Sequence, residues 1–396
     1  MRARGPRLPI RRGPRLPTRG SRLRHAWEPA LPGTWARSDW GLVIGALGLS
    51  LVGALLVWSA TRNAAGTAYL TRHLVNTALG VALAAAVTRT GYQLLRALAP
   101  ALYVLSVAGL VLVLTPLGST VNGSHSWILL PGGFSVQPSE FAKAALALGL
   151  AIILGERLDR GAAPDGRDVA VAWAVAAVPV ALVMLQPDLG SALVLGALAF
   201  GVVALSGAPK RWLALVLGLV TAGVVAALTT PLLSDYQRDR LTAFADPQAD
   251  PQGIGYQTRQ VRIAIGSGGW QGQGLFEGRQ TQGGFIPYQQ TDFVFSVAGE
   301  ELGFIGAAGV LLLLGFVVIR TVVVASRAQD AAGRLVALGV ATWFTFQVFE
   351  NVGMNLGLMP VTGLPLPFVS YGGSSMFACW LGIGLVNNVH LAGLRR

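Results

Sequence analysis

Apolar stretches of about 20 residues recur along this 396-residue chain, and they limit its fold more than any other feature. A helix needs roughly 20 apolar residues to cross about 30 Å of hydrocarbon. Inside lipid, only helices and closed barrels satisfy every backbone polar group. Charged residues make up 12% of the chain, against about 25% in soluble domains. The pattern predicts an all-α polytopic membrane protein.

About ten transmembrane helices are predicted, at 39–59, 73–91, 97–115, 139–155, 169–187, 189–206, 212–230, 292–319, 335–358 and 371–390. Spans 5 and 6 form one apolar stretch interrupted only by Gln186, Pro187 and Asp188, so nine spans are an alternative. Cytoplasmic segments of membrane proteins are rich in Lys and Arg. With both termini in the cytoplasm, the short outer loops carry only Arg62 and Arg72, which favours this orientation.

The first 38 residues differ from the rest and predict a disordered basic cytoplasmic tail, 1–38, before a transmembrane domain, 39–396. The tail holds ten arginines and one acid, Glu28, a composition that cannot bury a core. It could bind anionic lipid headgroups, or it could serve only as an orientation signal. Because the net charge of +12 collects mainly on this cytoplasmic side, we expect no nucleic-acid partner.

Polar residues gather in four clusters on the predicted outer side, at 135–143, 186–191, 253–303 and 358–376. The third begins inside a large Gly-rich extracellular loop, 231–291, between spans 7 and 8. Loops of this length are usually functional or partly folded. A carboxylate site near basic residues and open to the outside is compatible with acid–base catalysis and with proton-coupled transport.

Local patterns explain part of these clusters. Glu140 and Lys143 stand three residues apart at the start of a span, where they can pair, and Asp188 is expected to cap the next helix. The four histidines and the single Cys379 have no metal-ligand spacing, so no metal site or cofactor is evident. A divalent cation stays an open alternative.

Five blocks resemble, in order and spacing, the signatures of the SEDS family of shape, elongation, division and sporulation proteins: VNGSHSWILLPGGFSVQPSEFAK, QPDLGSA, GYQTRQVRIAIGSGGWQGQG, QTDFVFSVAGEELGFIG and MPVTGLPLPFVSYGGSS. The resemblance implies a ten-span peptidoglycan glycosyltransferase that polymerises lipid II at the outer face of the bacterial cytoplasmic membrane. It also implies a class B penicillin-binding protein as the cross-linking partner. The segments NGSHSW and FENVGMNLG resemble the elongation branch, RodA, more than the division branch, FtsW.

The resemblance also assigns residues by motif. The family's essential aspartate falls on Asp292, which is therefore the candidate catalytic residue. The charged pair of its QPSE segment falls on Glu140 and Lys143, and its preceding tryptophan falls on Trp127, all three as candidate substrate-binding residues. The aspartate of QPDLG falls on Asp188, as a structural polar residue.

The reaction that the resemblance implies is the attack of one sugar hydroxyl on the anomeric carbon of another sugar, with a lipid diphosphate leaving. Such an attack needs a general base within hydrogen-bond reach of the hydroxyl, and we assign Asp292 to this role. Charge develops on the leaving diphosphate, so cations near it lower the barrier. Lys143 is the first candidate, and Arg259 and Arg262 follow.

The 358–376 loop contributes Ser370 and Gly372 as further candidate substrate-binding residues. Two positions depart from the family's pattern. Ser126 stands where many members have an arginine, and Tyr288 stands where many have a glutamate. The resemblance assigns no role to either residue.

The acids Glu300 and Glu301 follow Asp292 along the same span. In one continuous helix from Asp292, Glu301 points away from it, at about 100° per residue, so we expect both glutamates to make internal polar contacts. Two rival functions stay open: a lipid II flippase or transporter, with acids deep in the spans as relays, and a non-catalytic scaffold of the elongation or division machinery.

Overall fold

The computed structural model describes residues 37–121, 123–130, 134–229, 244 and 253–394. The predicted tail, apart from its last two residues, and most of the segment 230–252 lie outside the described residues. The helices and strands are α1 (Trp40–Ala65), α2 (Ala68–Arg89), α3 (Tyr92–Val113), β1 (Ser119–Val121), β2 (Ser124–Leu130), β3 (Phe134–Val136), α4 (Pro138–Asp159), α5 (Gly166–Met184), α6 (Leu189–Leu205), α7 (Lys210–Thr229), α8 (Ile254–Gly268), α9 (Arg279–Gln282), α10 (Val294–Glu301), α11 (Gly303–Ser326), α12 (Ala331–Leu356) and α13 (Gly373–Gly393).

Seven helices of the described part are long and apolar enough to cross a membrane: α1, α2, α3, α5, α11, α12 and α13. The prediction of a polytopic helical membrane protein is confirmed. Helix α6 is apolar but only 17 residues long. Helices α4 and α7, of 22 and 20 residues, occupy two more of the ten predicted positions. The count of ten spans stays a prediction.

A small antiparallel sheet, in the order β1-β2-β3, interrupts the helical fold between α3 and α4. Val121 pairs with Ser124 across a tight turn, in which Gly123 adopts a φ of 80° that suits glycine. Ile128 pairs with Val136 on the other side of β2. The sheet was not expected from the sequence, and it borders the cavity described below.

The predicted continuous helix from residue 292 is wrong. Helix α10 begins only at Val294, ends at Glu301, and is followed by a separate helix, α11. Gly303, at the junction, has a φ of 65°, and a Cβ there would lie 2.2 Å from the backbone nitrogen of Gly272. Only glycine allows this approach. The Gly-rich loop therefore packs into the break, and its described part is partly helical, as α8 and α9.

Helix α12 lies at the centre of the bundle and packs against α4, α6 and α11. Small residues permit these close contacts, as in other membrane bundles. A Cβ on Gly155 would lie 2.5 Å from the backbone of Ala332, and one on Gly201 would lie 2.4 Å from Thr342. In the second half of α12, Gln347, Asn351 and Asn355 are fully buried, and these polar side chains support the candidate site.

Candidate active site

A cavity of about 600 Å³ opens at the end of the bundle that carries β1–β3. It is lined by side chains from five separate parts of the chain: Tyr69, Val121, Ser124, Ser126, Trp127, Leu129, Ser135, Gln137, Pro187, Asp188, Tyr288, Gln290, Thr291, Asp292, Thr362, Gly363, Pro365, Tyr371, Gly372 and Ser375. The sequence motifs therefore converge on one cavity. Of the predicted site residues, Trp127, Asp188, Asp292 and Gly372 line it.

Asp292 lies two residues before α10, half-buried, in a turn whose main chain is fixed from both sides. Its N–H donates to the carbonyl of Tyr288 at 3.1 Å. Its own carbonyl accepts hydrogen bonds from Asn351 at 2.9 Å and from Asn355 at 3.2 Å. The carboxylate is thus carried into the cavity by a backbone that has little freedom to move, as a preorganised general base requires.

Asn351 and Asn355 were not identified from the sequence. Together with Gln347 they stand four residues apart along α12, so the three amides share one helix face. Polar residues at this spacing inside an apolar span mark an internal polar contact, and this signal could have found them. Asn351 also donates to the carbonyl of Leu364 at 2.7 Å, which ties α12 to the opposite wall of the cavity.

Tyr288 has an unusual backbone, with a φ of 56°. A bulky residue in this left-handed region is strained by about 1–2 kcal/mol. Its carbonyl accepts three hydrogen bonds of 3.1 Å, from the N–H of Thr291, the hydroxyl of Thr291 and the N–H of Asp292. The side chain of Tyr288 lines the cavity and is 44% exposed.

Ser370 is buried, and the residues that line the cavity do not include it. Its hydroxyl donates to the carbonyl of Thr291 and accepts from the N–H of Leu366 at 2.8 Å. The next residue, Tyr371, donates its N–H to the carbonyl of Gln290 at 2.9 Å. These two attachments hold the loop before α13 against the segment 290–292, which carries Asp292.

Asp188 caps α6 as the sequence predicted, since its carboxylate accepts from the N–H of Ser191 at 3.0 Å. Its other oxygen accepts from the side-chain amide of Gln137 at 3.0 Å. The N–H of Gln137 in turn donates to the hydroxyl of Ser374 at 3.0 Å. Asp188 therefore joins the starts of α4, α6 and α13 at the cavity wall.

Lys143 and Glu140 form an ion pair of 2.7 Å, and both side chains are fully buried. The Lys143 ammonium also donates to Gln347 at 3.1 Å, and Gln347 accepts from the Trp343 indole at 2.7 Å. The amide of Gln347 then donates to the carbonyl of Pro365 at 2.8 Å. Lys143 and Glu140 are absent from the residues that line the cavity, so the pair lies behind its wall.

The two predicted arginines also lie away from the cavity lining. Arg259 is exposed on α8, and the Arg262 guanidinium donates to the carbonyl of Gly357 at 3.2 Å. Among the described residues that line the cavity, none is Lys or Arg. The described cavity therefore offers two aspartates, Asp188 and Asp292, together with hydroxyls, amides and aromatic rings. Such a lining suits polyhydroxylated substrates.

Glu300 and Glu301 make internal contacts away from the cavity. Glu300 accepts three hydrogen bonds, from the N–H of Gln280 at 2.7 Å and from the N–H and hydroxyl of Thr281 at 2.9 and 2.7 Å. Glu301 accepts from the hydroxyl of Ser59 on α1 at 2.6 Å. The two acids thus connect α10 to the Gly-rich loop and to α1.

A metal ligand set is not found in the part of the chain that the structure describes: no three His, Cys, Asp or Glu side chains lie close enough to hold an ion. A further acid, Glu350 on α12, is fully buried. It accepts a hydrogen bond from the hydroxyl of Thr362 at 3.0 Å, and Thr362 lines the cavity.

The FtsW/RodA/SpoVE family, described as cell cycle proteins, matches residues 40–393. The chain belongs to this family. The resemblance to SEDS proteins is confirmed. The chain is 37% identical over 367 residues to a probable peptidoglycan glycosyltransferase FtsW of Trichlorobacter lovleyi, with 91% of this chain and 94% of that protein covered. It is 36% identical over 344 residues to the peptidoglycan glycosyltransferase MrdB of Escherichia coli K12, covering 87% and 91%.

A chain of a solved structure has a similar fold. That structure concerns how a peptidoglycan synthase complex coordinates polymerization and crosslinking. The matched chain is 35% identical, with a TM-score of 0.76, and the match covers 91% of this chain and 99% of that one. The FtsW and MrdB relatives are about equally similar, so overall identity does not separate the two branches.

Proposed function

We propose that this chain is a peptidoglycan glycosyltransferase that polymerises lipid II at the outer face of a bacterial cytoplasmic membrane, with Asp292 as the general base. One observation carries the proposal. In a member of the FtsW/RodA/SpoVE family, Asp292, the residue that matches the family's essential aspartate, lines a polar and aromatic cavity. It stands on a backbone turn fixed by Tyr288, Asn351 and Asn355.

The reaction transfers a glycosyl group between two lipid-linked saccharides. The 4-hydroxyl oxygen of the acceptor sugar forms a bond to the anomeric carbon of the donor. The bond from that carbon to the diphosphate oxygen breaks, and its electron pair leaves with the lipid diphosphate. Asp292 takes the proton of the attacking hydroxyl, as the base of an inverting glycosidase takes one from water. Attack on the face opposite the diphosphate inverts the anomeric carbon.

Two of the predicted residues contact the substrate directly, and three others act on the site through their neighbours. Trp127 and Gly372 line the cavity and contact the substrate. Ser370 acts through its hydrogen bonds to the catalytic turn, and the Glu140–Lys143 pair acts through Gln347 and the loop at Pro365. This assignment modifies the direct diphosphate contact that the sequence predicted for Lys143.

Arg259 and Arg262 lie on α8, at the edge of the Gly-rich loop. We assign them to the leaving diphosphate as it passes this edge, because guanidinium groups bind diphosphate oxygens well. A divalent cation bound with the diphosphate is compatible with this arrangement.

The proposed role in the cell follows from the similarity to FtsW/RodA/SpoVE proteins. We propose a RodA-like role in cell elongation and shape maintenance, beside a class B penicillin-binding protein that cross-links the glycan. The similarity to a chain of a peptidoglycan synthase complex supports such a partner. Both termini, including the tail 1–38, lie in the cytoplasm in this proposal, since that orientation places most basic residues inside.

The test is polymerisation of fluorescent lipid II by the purified full-length protein in vesicles, with and without its penicillin-binding partner. Asp292→Asn keeps the shape of the side chain and removes the base, so we expect a loss of about 10²–10⁴-fold in rate. Glu277→Gln is the matched control, because Glu277 is an exposed acid of the same loop. Unchanged polymerisation by Asp292→Asn would refute the base, and translocation of lipid II without polymer would favour a flippase.

A further inference from the structure

We propose that the ring of Tyr288 is a sugar-binding surface in this cavity, which holds a hexopyranose of the lipid-linked substrate next to Asp292. The inference rests on the proposed glycosyltransferase function and adds a specific substrate contact to it. The observation behind it is the combination of a left-handed backbone, at a φ of 56°, with a bulky aromatic residue that lines the cavity and is 44% exposed.

The turn itself does not need a tyrosine. Its task is to present a carbonyl to the N–H of Asp292 and to both donors of Thr291. Glycine would present the same carbonyl in the same left-handed conformation without strain. Strained residues that persist at a cavity point to a function of their side chain. What tyrosine adds here is the ring, and the ring lines the cavity.

The chemistry of the ring selects the ligand class. An aromatic face carries partial negative charge, and the C–H bonds on one face of a pyranose carry partial positive charge, so the two surfaces stack. The neighbouring lining residues Gln290, Thr291 and Gln137 provide an amide and hydroxyl set for the sugar's own hydroxyl groups. A stacked ring at this point fixes the distance between a sugar hydroxyl and the carboxylate.

The position relative to the base identifies which sugar is held. Tyr288 and Asp292 belong to one hydrogen-bonded turn, since the carbonyl of the first accepts from the N–H of the second at 3.1 Å. This bond fixes the main chains of the two residues relative to each other, and both residues line the same cavity. We assign the stacked pyranose to the acceptor, whose hydroxyl loses its proton to Asp292.

Three variants separate the ring from the backbone. Tyr288→Gly keeps the left-handed turn and removes the ring, Tyr288→Phe keeps the ring, and Tyr288→Val removes the ring and disfavours the turn. We expect Tyr288→Phe to resemble the wild type. Tyr288→Gly should raise the KM for lipid II about three- to tenfold with kcat changed less and Tm unchanged or higher. Tyr288→Val should lower kcat as well.

The experiment measures lipid II polymerisation for the full-length variants, and lipid II binding in an inactive Asp292→Asn background with and without Tyr288→Gly. Weaker binding in the double variant supports the contact. A Tyr288→Gly protein with wild-type KM and binding overturns it, and so does one that loses only Tm and kcat, since the ring is then structural or a membrane-interface anchor. If the wild-type protein forms no polymer, the proposed function fails, and if Asp292→Asn polymerises normally, only the base assignment fails. Lipid II binding with and without the Tyr288 ring tests the sugar contact separately from both.

Discussion

The side-chain amide of Asn351 lies 2.9 Å from the main-chain carbonyl oxygen of Asp292, although 59 residues separate them in the chain. Asn351 belongs to the central helix α12, so this helix holds the turn that carries Asp292. The position of the carboxylate is therefore set by a buried amide that never contacts the substrate.

Asn351→Leu keeps the approximate volume and removes the donor. The carbonyls of Asp292 and Leu364 then lose a hydrogen-bond partner, at a cost of about 1–3 kcal/mol. We expect a lower kcat and a lower Tm in detergent. Asn355→Leu should have a smaller effect, because its bond to Asp292 is longer, at 3.2 Å, and is shared with Asn351. A larger loss of kcat and Tm in Asn355→Leu than in Asn351→Leu would contradict this prediction.

The buried pair Glu140–Lys143 predicts a strongly non-additive double-mutant cycle. Lys143→Met leaves the Glu140 carboxylate buried without its cation, which destabilises a protein by about 3–5 kcal/mol. Glu140→Leu likewise leaves the Lys143 ammonium buried without its carboxylate partner. The double variant buries only apolar side chains and should recover most of the lost Tm.

Thermal unfolding of the four proteins in one detergent measures the coupling. If the effects of the two single variants simply add, the pair does not stabilise the wall behind the cavity. Polymerisation rates for the same set then tell whether the charged pair contributes beyond stability. We expect the double variant to fold but to polymerise more slowly, because Gln347 loses its bond from Lys143.

Ser370→Ala tests the attachment between the 358–376 loop and the catalytic turn. The change removes the donor to Thr291 and the acceptor for Leu366, and each lost hydrogen bond is worth about 0.5–1.5 kcal/mol. We expect a reduced kcat with little change in KM. Ser326→Ala, at the far end of α11, loses one local bond to Val323 and should leave the rate unaltered. Equal rates in both variants would sink the idea.

Glu300→Ala should loosen the Gly-rich loop. It deletes three hydrogen bonds to Gln280 and Thr281, and bonds to a charged group contribute about 1.5–3 kcal/mol each. Amide hydrogen exchange at residues 279–282 should accelerate by about tenfold or more. The exposed Glu277 provides the control variant Glu277→Ala, and slow exchange in both proteins would show that the loop is held by other contacts.

Apolar length and local spacing were enough to predict most of the long helices and two of the polar contacts. The cap formed by Asp188 and the pair of Glu140 with Lys143 depend on residues three positions apart, and such contacts can be read from sequence. Asp292 was identified only through the family's motif, because its role depends on a cavity made by distant segments.

The remaining features depend on tertiary contacts that leave weak local signals. The break at Gly303 exists because the Gly272 backbone occupies the space beside it. The small sheet forms where the apolar periodicity stops. Tyrosine disfavours the positive φ that Tyr288 adopts, so its own sequence preference does not predict this turn. The hydrogen bonds to its carbonyl maintain the conformation.

The cavity wall includes a contact between Gln137 and Ser374, 237 residues apart, and Ser374 stands at the start of the last helix, α13. Translation delivers the segments of a nascent membrane protein in order, and the chain that carries Asp292 is made well before α13. The site is therefore open on one side until the final helix has been inserted. A nascent chain that lacks α13 therefore lacks part of the wall around Asp292, and we expect it not to polymerise lipid-linked precursor.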